Sequence, residues 1–212
     1  MATRLRAKRP APPSPERGEG RERILRAAIA LFRERGYHGT SMRTLARKLR
    51  VEVPSLYYHF GSKQDLLFTI LDRTLDGLFE GLARAQPDGD GPGPRLRAAV
   101  RFHALFHARR RDEAFLSHSE LRSLSPANSR KIIARRDEYE QVFRDHLAAG
   151  VRAGVFQVPD PKLTAMAILT MCTGVATWFS DQGRLEPERI ADRYAEIVLR
   201  SVERHPIDPP RP

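Results

Sequence analysis

The stretch GYHGTSMRTLARKLRVEVPSLYYHFGSKQDLLFTIL, from Gly36 to Leu71, decides the fold. Thr40 or Ser41 offers an N-cap, because a side-chain oxygen there accepts from a backbone N–H left unpaired in the first helical turn. Met42, Leu45, Ala46 and Leu49 recur at helical spacing and predict a short helix with one apolar stripe. Pro54 suits the first turn of a second, where its missing N–H would find no partner, and it pushes Val53 out of the helical region. That helix is brief, about Pro54 to Phe60, and Gly61 breaks it. Ser62 with Asp65 three residues later makes a capping-box-like start for a long helix, Lys63 to about Ala83.

Upstream, Ile24, Ala27, Ala28, Leu31 and Phe32 predict a helix from Gly20 that Gly36 stops. Residues 1–19 are rich in Pro and Arg with few apolar side chains, the composition of a disordered arm. Downstream, residues 86–94 (QPDGDGPGP) read as a loop, followed by helices over roughly 95–109, 112–123, 126–150, 160–181 and 187–204, with a disordered tail at 206–212. No alternating strand pattern and no internal repeat is evident. The expected fold is all-α: a three-helix domain over 20–66, then a second helical domain over 67–205.

Charge says what the first domain touches. The chain carries 37 Lys/Arg against 26 Asp/Glu, a formal +11. Residues 1–63 hold 15 of the basic and 5 of the acidic residues, leaving 22 and 21 for the rest. The polyanion-binding part is therefore the N-terminal third. Two short helices joined by a tight turn and braced on a preceding helix form a helix-turn-helix, whose second helix enters the major groove of double-stranded DNA.

The same residues resemble the signature of TetR-type repressors. They share a Gly-Tyr after the first helix, Thr-Ser before the second, Leu-Ala within it, and Leu-Tyr-Tyr-His-Phe followed by Ser-Lys-Gln-Asp-Leu-Leu. One departure is Arg50-Val51, where the family usually has a Gly-Val turn; another is the apolar Val53 at the base-reading end. The resemblance implies base or near-base contacts by Arg43, Val53, Pro54 and Tyr57. It implies phosphate contacts by Thr40, Ser41, Ser55, Tyr58, His59 and Lys63, which carry suitable donors. Leu45, Leu49, Leu56 and Phe60 are expected to form the small core of this unit, with Arg21 and Arg23 within reach of the DNA backbone.

Beyond residue 75 the resemblance implies a helical effector-binding domain whose last two helices pair with those of a second copy, giving a homodimer. The stretch SELRSLSPANSRKIIARRDEYEQVFRDHLAAGVRAGVF, from Ser119, is similar to that of TetR-type regulators answering to acyl-CoA esters. Such an effector needs cations for its phosphates, for which Arg109, Arg110, Arg111, Lys131, Arg135 and Arg136 are available, and an apolar cavity for its acyl part. Candidate effector-binding residues are Phe102, His103, Phe106, Phe115, Leu121, Arg135, Tyr139, Phe143, Met166, Leu169 and Trp178. The function expected is that of a repressor released from a palindromic operator by a small-molecule effector; a ligand-independent DNA-binding protein and an activator are the alternatives.

Other classes find little support. There is no glycine-rich phosphate loop, nucleophile elbow or metal-ligand string, so neither an enzyme nor a cofactor is expected. His103 and His107 lie one helical turn apart with His118 further on, but nothing completes a metal site. Leu163 to Ser180 contains no charge, yet its threonines and glycine suit a buried helix better than a membrane span. Cys172 is alone within this apolar run and reads as a small buried hydrophobe in a reducing cytoplasm.

Overall fold

The computed structural model describes residues 15–85 and 91–203, which divide into two compact units between Leu66 and Leu67. The regular elements among the described residues are helices, without strands.

In the first unit, α1 (Pro15–Arg35) precedes two short helices, α2 (Met42–Leu49) and α3 (Val53–His59), and α4 (Lys63–Ala85) begins there. Helix α1 starts five residues before Gly20, so the arm expected over 1–19 is corrected for 15–19; residues 1–14 lie outside the described residues. Proline is tolerated in a first turn. Packing also holds this end: a Cβ on Gly20 would stand 3.0 Å from His59 Nε2, and Arg21 donates to the His59 carbonyl at 3.0 Å. Ile24, Leu25, Ala28, Leu31 and Phe32 of α1 enclose the core with Leu45, Ala46, Leu56 and Phe60. Leu49, the last residue of α2, is only half-buried.

The caps follow the sequence closely. Ser41 accepts from Thr44 N at 3.0 Å, and Ser62 Oγ accepts from Asp65 N at 3.0 Å while Asp65 accepts from Gly61 N at 3.2 Å. Helix α3 opens one residue early, with Val53 in its first turn and Glu52 extended as N-cap. At the end of α2, Arg50 adopts φ 56°, ψ 46°, the left-handed conformation usually given to glycine.

In the second unit α4 continues, followed by α5 (Pro92–Arg109), α6 (Arg111–Ser119), a single 3₁₀ turn at Leu121–Ser123, α7 (Pro126–Arg152), α8 (Pro161–Thr173), α9 (Val175–Trp178) and α10 (Pro187–Val202). Helix α5 is the central element: it packs on α7, α8 and α10, and its Arg101 pairs with Asp192 of α10 at 2.6 Å. The continuous helix expected over 160–181 is divided at Gly174 into α8 and α9. No helix among the described residues is long and apolar enough to cross a membrane. Cys172 is buried, and burial pushes its thiol up to about 12.

Candidate functional site

Helix α3 turns Leu56 inward and leaves Pro54, Ser55, Tyr57 and Tyr58 exposed, with Val53 half-buried beside them. The two tyrosines are 49% and 64% exposed, and the Tyr58 ring meets the His59 ring edge-on at 5.2 Å. Ser41 and Arg43 are exposed at the start of α2. Lys63 Nζ stands 4.0 Å from the centre of the Tyr37 ring, and Gln64 donates to the Tyr37 hydroxyl at 2.9 Å, so the start of α4 is tied to the turn after α1.

One expectation for this unit is corrected. Thr40 is 2% exposed, and its hydroxyl reaches back to the carbonyls of Gly36 (3.0 Å) and Leu31 (3.3 Å). It closes α1 and cannot offer that hydroxyl to a phosphate. Arg21 and Arg23 donate to the carbonyls of His59 and Leu49, the last residues of α3 and α2. They complement the negative ends of those helices.

The second unit contains a cavity of about 150 Å³ lined by α4, α5, α6, α7 and α8. Leu71, Leu75, Leu78, Ile132 and Leu169 make its apolar wall; His103, His107, Ser117, His118, Arg136 and Tyr139 supply polar groups. A groove of about 500 Å³, lined by Phe115, Thr170, Gly174 and Thr177 among others, shares His118, Leu169 and Thr173 with it and so continues it along α8 and α9.

Burial lowers the pKa of His107 to about 4 and that of His103 well below its ordinary value, so both rings are neutral at pH 7. Neutrality fixes the direction of every hydrogen bond in the cluster. A carbonyl can only accept, so His107 Nδ1, 3.0 Å from the His103 carbonyl, carries the proton. Its Nε2 must then accept, and Thr173 donates to it at 3.3 Å. The Thr173 oxygen accepts from His103 Nε2, also at 3.3 Å, which leaves His103 Nδ1 to accept from the Tyr139 hydroxyl at 3.1 Å. Each ring nitrogen in the chain has a partner. No group of three or more metal-binding side chains occurs among the described residues.

Comparison with known proteins agrees with this geometry. Residues 24–70 match the family of bacterial regulatory proteins described as tetR, and residues 89–202 match a tetracyclin repressor-like C-terminal domain. The chain belongs to the tetR family. It is 26% identical to the transcriptional repressor KstR2 of Mycolicibacterium smegmatis over 86% of this chain and 90% of that one. It is 40% identical to the transcriptional activator FasR of the same organism over 40% of this chain and 38% of that one. The crystal structure of AibR in complex with isovaleryl coenzyme A and operator DNA superposes with a TM-score of 0.77 at 32% identity, covering 84% of this chain and 97% of AibR. As a tetR-family protein the chain is a DNA-binding transcriptional regulator, not an enzyme.

Of the effector-binding residues expected from sequence, this tetR-family cavity and its groove bring together His103, Tyr139, Leu169 and Phe115. The others lie elsewhere. Phe143 is fully buried core, and Phe102 and Phe106 pack against Gly81 and Gly77 of α4. Arg135 is held by Asp72 and Asp76. Leu121 lies half-buried in the 3₁₀ turn, while Met166 and Trp178 are 46% and 52% exposed and line neither space. The cavity residues not chosen from sequence include Leu71, Leu75 and Leu78, which on α4 carry the same apolar spacing as any core stripe. The six cations considered for phosphate binding are mostly occupied: Arg109 pairs with Glu188, Arg111 with Asp181 at 3.7 Å, and Arg110 and Lys131 lie over the Phe106 and Phe68 rings.

Proposed function

We propose that this tetR-family regulator is a homodimeric repressor, released from a near-palindromic operator when an acyl-CoA enters the cavity of its second unit. The observation that carries the reading is the cavity itself, an apolar chamber with convergent polar groups whose wall includes Leu71, Thr74, Leu75 and Leu78 of α4. That helix begins at Lys63, directly after the recognition helix, so a ligand that displaces it changes the spacing of two recognition helices in a dimer. Spacing matters because half-sites repeat every helical turn, about 34 to 36 Å. The likeness to AibR, solved in complex with isovaleryl coenzyme A and operator DNA, supports the effector class.

In this reading Arg43, Val53, Pro54 and Tyr57 meet base edges, with the Val53 side chain suited to a thymine methyl. Ser41, Ser55, Tyr58, His59 and Lys63 bind phosphate, and Thr40 is left out because its hydroxyl is used internally. The likeness to FasR, named an activator, makes activation the alternative sign of regulation. Titrating operator-bound protein with a series of acyl-CoA esters tests the proposal: release is expected, and operator must weaken acyl-CoA binding by the same factor, typically about 5- to 150-fold. Equal acyl-CoA affinity with and without operator overturns it. Transcription in vitro from the operator gives the sign.

A further inference from the structure

Arg136 differs from the other cations of the second unit. Its guanidinium is largely buried, lines the cavity, and lies within ion-pair distance of no carboxylate among the described residues. Its hydrogen-bond partner is the Ser117 carbonyl. The electrostatic neighbours it acts on are His107 and His118, both neutral at pH 7. The two carboxylates on the cavity wall are placed otherwise: Glu140 pairs with Arg144 at 3.5 Å, and Asp137 is exposed. A buried charge without a counterion is costly, and burial already lowers the Arg136 pKa for that reason.

The second observation lies beside it. Ser117 is 9% exposed, lines the same cavity, and its Oγ is buried with no hydrogen-bond partner. Arg136 binds the carbonyl of the residue whose hydroxyl stands open, so the two donors converge on one side of the chamber. The ring nitrogens of His103 and His107 already have partners, whereas the Ser117 hydroxyl has none and the Arg136 charge has no counterion among the described residues.

We infer that the cavity receives a compact acyl end that terminates in a carboxylate, bound by the Arg136 guanidinium and the Ser117 hydroxyl. This rests on the acyl-CoA reading above and narrows it to monothioesters of short dicarboxylic acids. A carboxylate neutralises the buried guanidinium and accepts from the hydroxyl, whereas an alkyl terminus leaves both unpaired. Size sets the length: a cavity of about 150 Å³ takes about one benzene ring, or six heavy atoms. A carboxyl group and three methylenes fill that space, and the groove sharing His118, Leu169 and Thr173 leads the thioester outward.

The test uses the full chain and three probes in calorimetric titrations and operator release. Glutaryl-CoA is paired with 5-methylhexanoyl-CoA, which has the same shape with methyl groups in place of the carboxylate oxygens, and free glutarate is the third. Glutaryl-CoA is expected to bind at least about 10-fold more tightly than its alkyl isostere. Ser117→Ala, which removes an unpartnered hydroxyl and leaves the fold intact, should cut that preference about 5- to 10-fold. Arg136→Gln should abolish it while helical circular dichroism and operator affinity persist. Equal or tighter binding of the alkyl ester, or equal losses for both esters in Ser117→Ala, overturns the inference. If the alkyl ester releases operator and glutaryl-CoA does not, the acyl-CoA function stands and the carboxylate site falls. If free glutarate binds in an Arg136-dependent way and neither ester does, the carboxylate site stands and the acyl-CoA function falls. No binding by any of the three overturns both.

Discussion

The Tyr139 hydroxyl lies 3.1 Å from His103 Nδ1 and donates to it, a direction dictated three hydrogen bonds away by the carbonyl that holds the His107 proton. Protonating His107 would set an N–H against the donating Thr173 hydroxyl. The cluster therefore stores stability in the neutral state, facing Arg136, Asp137 and Glu140 of α7, His118 of α6 and Cys172 of α8.

The sign of the pH dependence follows. A histidine whose folded pKa lies below its unfolded value of about 6.5 binds more protons when unfolded. Stability is then complete above about pH 6.5 and falls as pH drops toward about 4, the folded value of His107. Between pH 7.5 and 5 the His107 contribution alone is expected to fall by about 2 kcal/mol. Urea unfolding at the two pH values checks this, and His107→Asn should reduce the difference while the share of His103 and His118 remains. A midpoint independent of pH over that range would falsify the neutral arrangement.

Arg50 occupies the left-handed region at φ 56°, where an L residue is disfavoured by about 1–2 kcal/mol and glycine is not. Part of that gain is offset by glycine's greater freedom in the unfolded chain, about 0.5–1 kcal/mol. Arg50→Gly is thus expected to stabilise the first unit by about 0.5–1 kcal/mol. The arginine is exposed, and if it was retained for a phosphate, the same variant should lower the salt slope of operator binding by about 1. A less stable variant would show that the arginine side chain contributes more than its backbone costs.

Thr40 and Lys63 separate a structural role from a DNA-binding one. Thr40→Val leaves the Gly36 and Leu31 carbonyls without their hydroxyl partner and should cost about 1–2 kcal/mol, with the salt slope unchanged. Lys63→Ala and Tyr58→Ala should weaken binding to operator and random DNA alike, and Lys63→Ala should reduce the slope by about 1. The measurement is operator and random-DNA affinity at several salt concentrations. An altered operator preference with unchanged affinity for random DNA would count against phosphate contact by Lys63.

How much of this was legible in the sequence differs between the units. The caps at Ser41 and Ser62, the stop at Gly61 and the exposed side of α3 rest on local chemistry, and local chemistry is written in consecutive residues. The role of Thr40 is not legible, because a threonine before a helix looks alike whether its hydroxyl points forward to a phosphate or back to Gly36. In the second unit an aromatic at helical spacing is identical in sequence whether it faces a cavity, as Tyr139 does, or the solid core, as Phe143 does. Only tertiary packing separates the two. The Arg135 and Arg136 pair shows the same limit: adjacent and chemically equal, one is held by Asp72 and Asp76 while the other lines the cavity.

Met166 and Trp178, displaced from the cavity, suggest a different role. On α8, Leu163, Met166, Ala167 and Thr170 are all exposed at the spacing of one helix face, and Trp178 and Ile197 are exposed on α9 and α10. An exposed apolar stripe of this kind marks an association surface, and a two-fold interface makes each residue count twice. Met166→Glu with Ile197→Glu places carboxylates on that face without touching the core, since the parent side chains are 46% and 54% exposed. The wild-type chain is expected to scatter light as a dimer and the double variant as a monomer of unchanged helical content. Operator affinity should collapse with the dimer, because one recognition helix reads too few base pairs to hold a palindromic site alone. A double variant that remains dimeric and keeps its operator affinity would assign the interface to another face.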